Sequence, residues 1–159
     1  IYTGEDTLSL HDALPICIRR LRYGDEDHAL AAKTCLEAAD FAAETLITYP
    51  VPDDKLDLVC QVLRPAGINP PRRTTELTVA MVQLVASRRG VAALPFWAVK
   101  PYLERGYVQA LPIGEHGLRC ELYAATRADD AGLAYLEDFL VTVRELSFAT
   151  LAGIRPLAG

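Results

Sequence analysis

Residues 85–105, VASRRGVAALPFWAVKPYLER, constrain the fold more than any other stretch. They read as a helical run halted at Gly90, a short apolar strand VAAL, and a turn at Pro95 that launches another helix. In α/β sheets, small molecules are held where the chain leaves the carboxyl end of such a strand, so this segment predicts a binding crevice.

The flanking chain repeats the alternation. The acidic run 24–27 reads as a turn and residues 37–42 as a brief helix, and TLITYP (45–50) is β-branched and apolar for its length, as a buried parallel strand is. Pro52 and Asp53 then open a helix whose stripe is Leu56, Val59 and Val62 or Leu63, ended by Pro65 and Gly67. A short strand is expected at 72–76. The next helix starts near Leu77 with Val79, Val82 and Val85 or Ala86 inward, and Gly90 is read as its left-handed cap. Residues 96–104 form a helix ended by Gly106, and YVQALP and RCELYAAT are strands around the loop 114–117. A last helix spans about 130–151, with Leu133, Leu136, Phe139 or Leu140, Val143 and Leu146 on one face. The fold class is therefore α/β, a parallel sheet covered on both faces.

At 159 residues the chain supports one modest domain, or a domain with a fragment of a second. A composition 51% hydrophobic and 23% charged is that of a globular protein. A net charge of −5 repels phosphate backbones, and Arg19, Arg20 and Arg22 form the one sizeable basic cluster, so this chain is not read as a nucleic-acid binder by itself. No apolar run reaches the roughly 18 residues of a membrane span and no signal-peptide pattern opens the chain, which predicts a cytoplasmic protein with no membrane partner. Cys17, Cys35, Cys60 and Cys120 lack paired spacing and short His partners, so reduced thiols are expected and no metal.

The opening tract IYTGEDTLSLHDALPI (1–16) resembles translated sequencing-adapter sequence and is read as foreign or disordered. Ser9, His11 and Asp12 within it are not taken as a hydrolase triad, because triads are assembled by geometry across a fold. GDEDHALAAKT (24–34) ends like a phosphate loop, but Ala32 stands where such a loop needs Gly, so no nucleotide cofactor is expected. His28 and His116 show no second ligand or base partner and are read as turn and surface histidines. No catalytic residue is assigned.

One set of residues converges. Thr48, Tyr49 and Pro50 end a central strand, and Glu76, Leu77 and Thr78 lie where another strand gives way to a helix. Free amides at a helix start favour a carboxylate, Thr hydroxyls donate or accept, and Glu76 suits an ammonium group. That chemistry fits an amino acid. The competing reading is that Thr75 caps the helix, Glu76 complements its dipole and Tyr49 packs. Pro95 and Trp97 either line the same crevice or anchor the following helix.

The signature Val85, Ala86, Gly90, Val91, Ala92, Leu94, Pro95 resembles the V-A-x-x-x-G-V/I-A-x-L-P pattern of LysR-type transcriptional regulators. HALA (28–31), ETLITYPV (44–51), LRPAGINP (63–70), RTTELT (73–78), RGYVQALPIGEHGL (105–118) and ELYAATR (121–127) carry the resemblance in order, and LITYPV with GEHGL leans to the methionine-biosynthesis branch. Phe96 departs from it, standing where the pattern favours a basic or polar residue. The resemblance implies a periplasmic-binding-protein-like effector domain: residues 17–32 a remnant of the first subdomain, 33–122 the second subdomain, 123–152 the return crossover and carboxyl-terminal helix of the first, and 153–159 a tail. It further implies homocysteine or a related amino acid as effector, no cofactor, a homodimer or tetramer in the full-length protein, and DNA contact only through an amino-terminal helix-turn-helix outside this chain. The rival readings are a solute-binding protein, or an enzyme of the same fold, for an amino-acid-like ligand.

Overall fold

The computed structural model describes residues 8–13, 16–19, 29–124, 126–130 and 132–156. Its strands are β1 (Leu8–Ala13), β2 (Ile16–Arg19), β3 (Leu46–Thr48), β4 (Arg72–Thr74), β5 (Ala92–Ala93), β6 (Val108–Leu111), β7 (Arg119–Ala124) and β8 (Arg155–Pro156). Its α-helices are α1 (Thr78–Ala86), α2 (Phe96–Glu104) and α3 (Ala134–Thr150). The chain divides into two compact units, Leu14–Leu118 and Ile1–Ala13 with Arg119–Gly159.

In the first of these units, β3 and β4 pair in parallel, and a parallel bridge from Leu46 to Val91 joins β3 to the β5 segment. Strand β2 lies antiparallel to both β5 and β6. The order is thus β4-β3-β5-β2-β6, four parallel strands with one reversed strand among them. The expected parallel sheet is corrected here: β2 pairs antiparallel with both β5 and β6, a ladder whose hydrogen bonds are at least as favourable as parallel ones. Residues 20–28 lie outside the described residues, whereas Ile16–Arg19, divided by the sequence boundaries between the opening tract and the first-subdomain remnant, is a strand of this unit.

Alternation along the strands feeds two cores. Leu46, Val91 and Ala93 face a cluster with Phe41, Leu58, Val59 and Leu63. Ile47, Ala92 and Leu94 face the opposite one, with Met81, Val82 and Val85 of α1 and Val99 of α2. Burial of each of the larger side chains among them contributes roughly 1.5–3 kcal/mol.

The helix expected from Pro52 is instead a 3-10 turn at Asp53–Lys55 followed by a π-helix at Leu58–Leu63. The Arg64 amide bonds the Val59 carbonyl at 2.9 Å, and the five-residue step places both Leu58 and Leu63 in the core. On α1 the inward set is Met81, Val82 and Val85, while Val79 is 49% exposed. Its cap is also not Gly90. Arg88 takes the left-handed conformation (φ 59°), its amide bonds Val85, and the Arg89 amide returns to Leu84 at 2.9 Å, completing a Schellman motif. Gly90 answers a different need: a Cβ there would lie 2.1 Å from the Thr45 carbonyl oxygen.

In the other unit, β1 lies between β7 and β8, antiparallel to both. The opening tract, expected to lack a packed element, therefore contributes a strand at Leu8–Ala13. Leu8 and Leu10 alternate with polar residues, a two-residue period that is too short to stand out without its partners. Residues 119–122, assigned by sequence to the other subdomain, belong here through the β1–β7 ladder. Val143 and Phe148 of α3 and Leu151 just after it pack around Ile154, with Leu136 and Leu140 half-buried. Leu133, Phe139 and Leu146, expected on that face, are exposed, Phe139 at 61%.

Candidate functional site

Because β4, β3 and β5 run parallel, their carboxyl ends lie on one edge of the sheet, and the chain leaves each end into a loop or a helix start. Thr48 closes β3 on the same side as Leu46 and is buried to 7% exposure. Its carbonyl accepts from the Thr75 amide at 3.0 Å, which prolongs the β3–β4 ladder by one rung beyond the Thr48–Thr74 pair.

Tyr49 turns to the opposite side and packs against the α1 core. Its hydroxyl lies 2.6 Å from Thr78 Oγ1, the first residue of α1, so the ends of two neighbouring segments meet through a direct hydrogen bond. Leu77 occupies the N-cap with no side-chain cap bond. The competing reading of Thr75 as the cap is thereby replaced: no side chain caps α1, and the amides of its first turn have no partner within the helix. A carboxylate placed there would meet those amides and the positive end of the helix dipole.

Glu76 and Pro50 are exposed, and Leu77 projects into solvent beside them. Pro95 is half-buried as the N-cap of α2, and Trp97 in the first turn is 36% exposed. Both follow β5, the strand adjacent to β3. The structure thus groups all eight predicted residues at the carboxyl edge of three adjoining strands, and Tyr49 and Thr78 among them are joined by a direct side-chain bond.

A pair that sequence reading passed over sits at the far end of the loop after Tyr49. Both terminal nitrogens of Arg72, at the start of β4, donate to the two carboxylate oxygens of Asp53, the second at 3.2 Å, and Arg64 comes within 4.0 Å of Asp53 Oδ2. The hydrogen bonds from Arg72, reinforced by the charges of Arg72 and Arg64, hold the Asp53 carboxyl below its ordinary value against a smaller opposing effect of burial. Asp53 had been read as a helix opener only; an acid after a strand and an arginine opening the next was the available signal.

The other candidate groups fall elsewhere. His116 is exposed in the turn before β7, and His28 and the rest of 24–28 lie outside the described residues, as do Arg20 and Arg22. Cys35, Cys60 and Cys120 are not in disulfides, and the Cys60 thiol donates to the Asp53 carbonyl at 3.1 Å. Among the described residues there is no metal-binding group of His, Cys, Asp and Glu, and no helix long and apolar enough to cross a membrane.

Comparison with known proteins gives a consistent picture. The LysR substrate binding domain family matches residues 20–147, beginning after the opening tract. The HTH-type transcriptional regulator MetR of Haemophilus influenzae is 58% identical over 132 residues, 83% of this chain and 43% of that protein. MetR of Salmonella typhimurium is 41% identical over 119 residues, 75% of this chain and 37% of that protein. The chain thus spans less than half the length of these curated relatives. The regulatory domain of MetR from N. meningitidis, a LysR family regulator, superposes with a TM-score of 0.85 at 46% identity, over 99% of this chain and 72% of that one. The effector-binding domain of QuiR in complex with shikimate shares the fold, with a TM-score of 0.68 at 19% identity.

Proposed function

The chain belongs to the LysR substrate-binding domain family, and from that premise we propose that it is the effector-sensing part of a regulator of methionine-biosynthesis genes, with homocysteine as the effector. The observation that carries this reading is the Tyr49–Thr78 hydrogen bond at the uncapped start of α1. It sets two hydroxyls beside a row of backbone amides, a donor-rich site for the carboxylate of an amino acid. Glu76, exposed on the same turn, offers the opposite charge to its ammonium group, and Leu77, Pro95 and Trp97 offer apolar surface to a short thiol side chain.

The role is regulatory, without a catalytic step or cofactor, in the cytoplasm. The full-length regulator would contact DNA through an amino-terminal helix-turn-helix and assemble as a homodimer or tetramer, and effector binding would shift that assembly between two states. Calorimetric titration tests the site. Homocysteine should bind, Tyr49→Phe and Thr78→Val should each weaken it about tenfold, close to 1.4 kcal/mol, and Glu76→Gln should erase the preference for homocysteine over its des-amino analogue. Unchanged affinity in both hydroxyl variants would overturn the assignment.

A further inference from the structure

We propose that the Asp53–Arg72 fork is a positioning pair for the effector site, closing the loop that carries Tyr49 into a ring whose shape sets the Tyr49–Thr78 contact. This rests on the effector reading above. The ring has two fasteners. At one end the Thr75 amide bonds the Thr48 carbonyl at 3.0 Å, and at the other Arg72 grips Asp53 with two parallel donors. Between them run residues 49–52: Tyr49 packs against the α1 core, but Pro50, Val51 and Pro52 are exposed, so little packing fixes the path of the loop beyond Tyr49.

Three features mark the fork as more than a surface ion pair. The Arg72 side chain is only 25% exposed, and its Nε is sealed from solvent with no hydrogen-bond partner. The guanidinium therefore depends on Asp53, and removing the carboxylate leaves a largely buried cation that must move. Asp53 is itself held by its backbone: its carbonyl accepts from the Leu56 amide at 3.1 Å and from the Cys60 thiol, tying the fork to the π-helix. Finally, Arg72 is two residues before Thr74 and six before Thr78 on a continuous stretch, so a shift at Arg72 is carried along β4 to the start of α1. A bidentate fork also fixes orientation, which a single contact does not.

The test compares Asp53→Asn and Arg72→Lys with the charge-swapped double variant Asp53→Arg/Arg72→Asp, and uses Asp40→Asn, which breaks the separate Lys33–Asp40 pair, as a control. Two readouts are taken: homocysteine affinity by calorimetry, and hydrogen exchange at the Thr75 amide in the ligand-free protein. Asp53→Asn is expected to weaken homocysteine at least tenfold and to speed Thr75 exchange at least tenfold, Arg72→Lys to do so partially, the swap to recover part of both, and Asp40→Asn to change neither. Wild-type values of affinity and exchange in Asp53→Asn would overturn the proposal, as would an equal loss in Asp40→Asn. If the wild-type chain binds no homocysteine yet Asp53→Asn still speeds Thr75 exchange, the effector reading fails and the positioning of the loop stands.

Discussion

Gly90 shows how one residue can serve the site from outside it. Its amide neighbour Val91 donates to the Thr45 carbonyl and accepts from Ile47, so the backbones of β3 and the β5 segment approach closely at Gly90. With φ at 147° and a Cβ position 2.1 Å from Thr45 O, Gly90→Ala must move the strand that ends in Thr48 and Tyr49. It should cost about 2–4 kcal/mol in urea unfolding; a loss below about 1 kcal/mol would mean that the strands separate without strain. The two charged pairs make stability depend on pH. For Asp40, burial pushes the carboxyl up, but hydrogen bonds from Lys33 and the Glu37 amide outweigh it and the net shift is downward, as it is for Asp53. A carboxyl with a lowered folded-state value adds stability that is present above its unfolded value, near 3.8, and is lost as pH falls through the folded one. The stability gap between wild type and Asp53→Asn should therefore be open at pH 7 and shrink below about pH 4, and a gap that stays constant to pH 2 would show that Asp53 is not the group responsible.

At the scale of elements, legibility followed the range of the forces involved. Helix α2 lies where Pro95, Phe96 and Gly106 place it, because a proline cap and a positive-φ glycine act within a few residues. The positions of the residues proposed for the site were legible for the same reason: each lies at or beside a strand end or helix start that the local pattern marks. Strand β1 was not, since its ladder pairs Leu8 with Ala124, and no local signal reports a partner so distant. The π-helix was missed because Leu56, Val59 and Leu63 fit an α-helical stripe as well as a wider one. For α3 the sequence offers two apolar stripes, and only packing chooses between them. Val143→Ala, on the side facing Ile154, should lower stability by about 1 kcal/mol, whereas Phe139→Ala should stay within about 0.5 kcal/mol of wild type. Reversed magnitudes in thermal unfolding would place the packed face on the other stripe.

Over the whole molecule, the sheet of one unit and the long helix of the other differ in burial. The unit Leu14–Leu118 holds two cores, one on each face of its sheet, with Phe41, Leu46, Ile47, Leu63, Met81 and Val91 all closed to solvent. In the other unit α3 has no buried residue, and its packed side chains gather around Ile154. Amide protection scales with the buried apolar contacts that must open, so the units should exchange through different openings. The amides of Ile47 and Val91, bonded across β3 and the β5 segment, should be among the slowest, and those of α3 at least tenfold faster despite its longer run of helical hydrogen bonds. The binding chemistry proposed for Tyr49 and Thr78 lies wholly in the well-packed unit, so it should survive conditions under which α3 is already exchanging. Mass-resolved hydrogen exchange in mild urea, with homocysteine present and absent, would show this as ligand protection confined to Leu14–Leu118. Protection that appeared first in α3 would instead place the stable core, and the effector response, in the other unit.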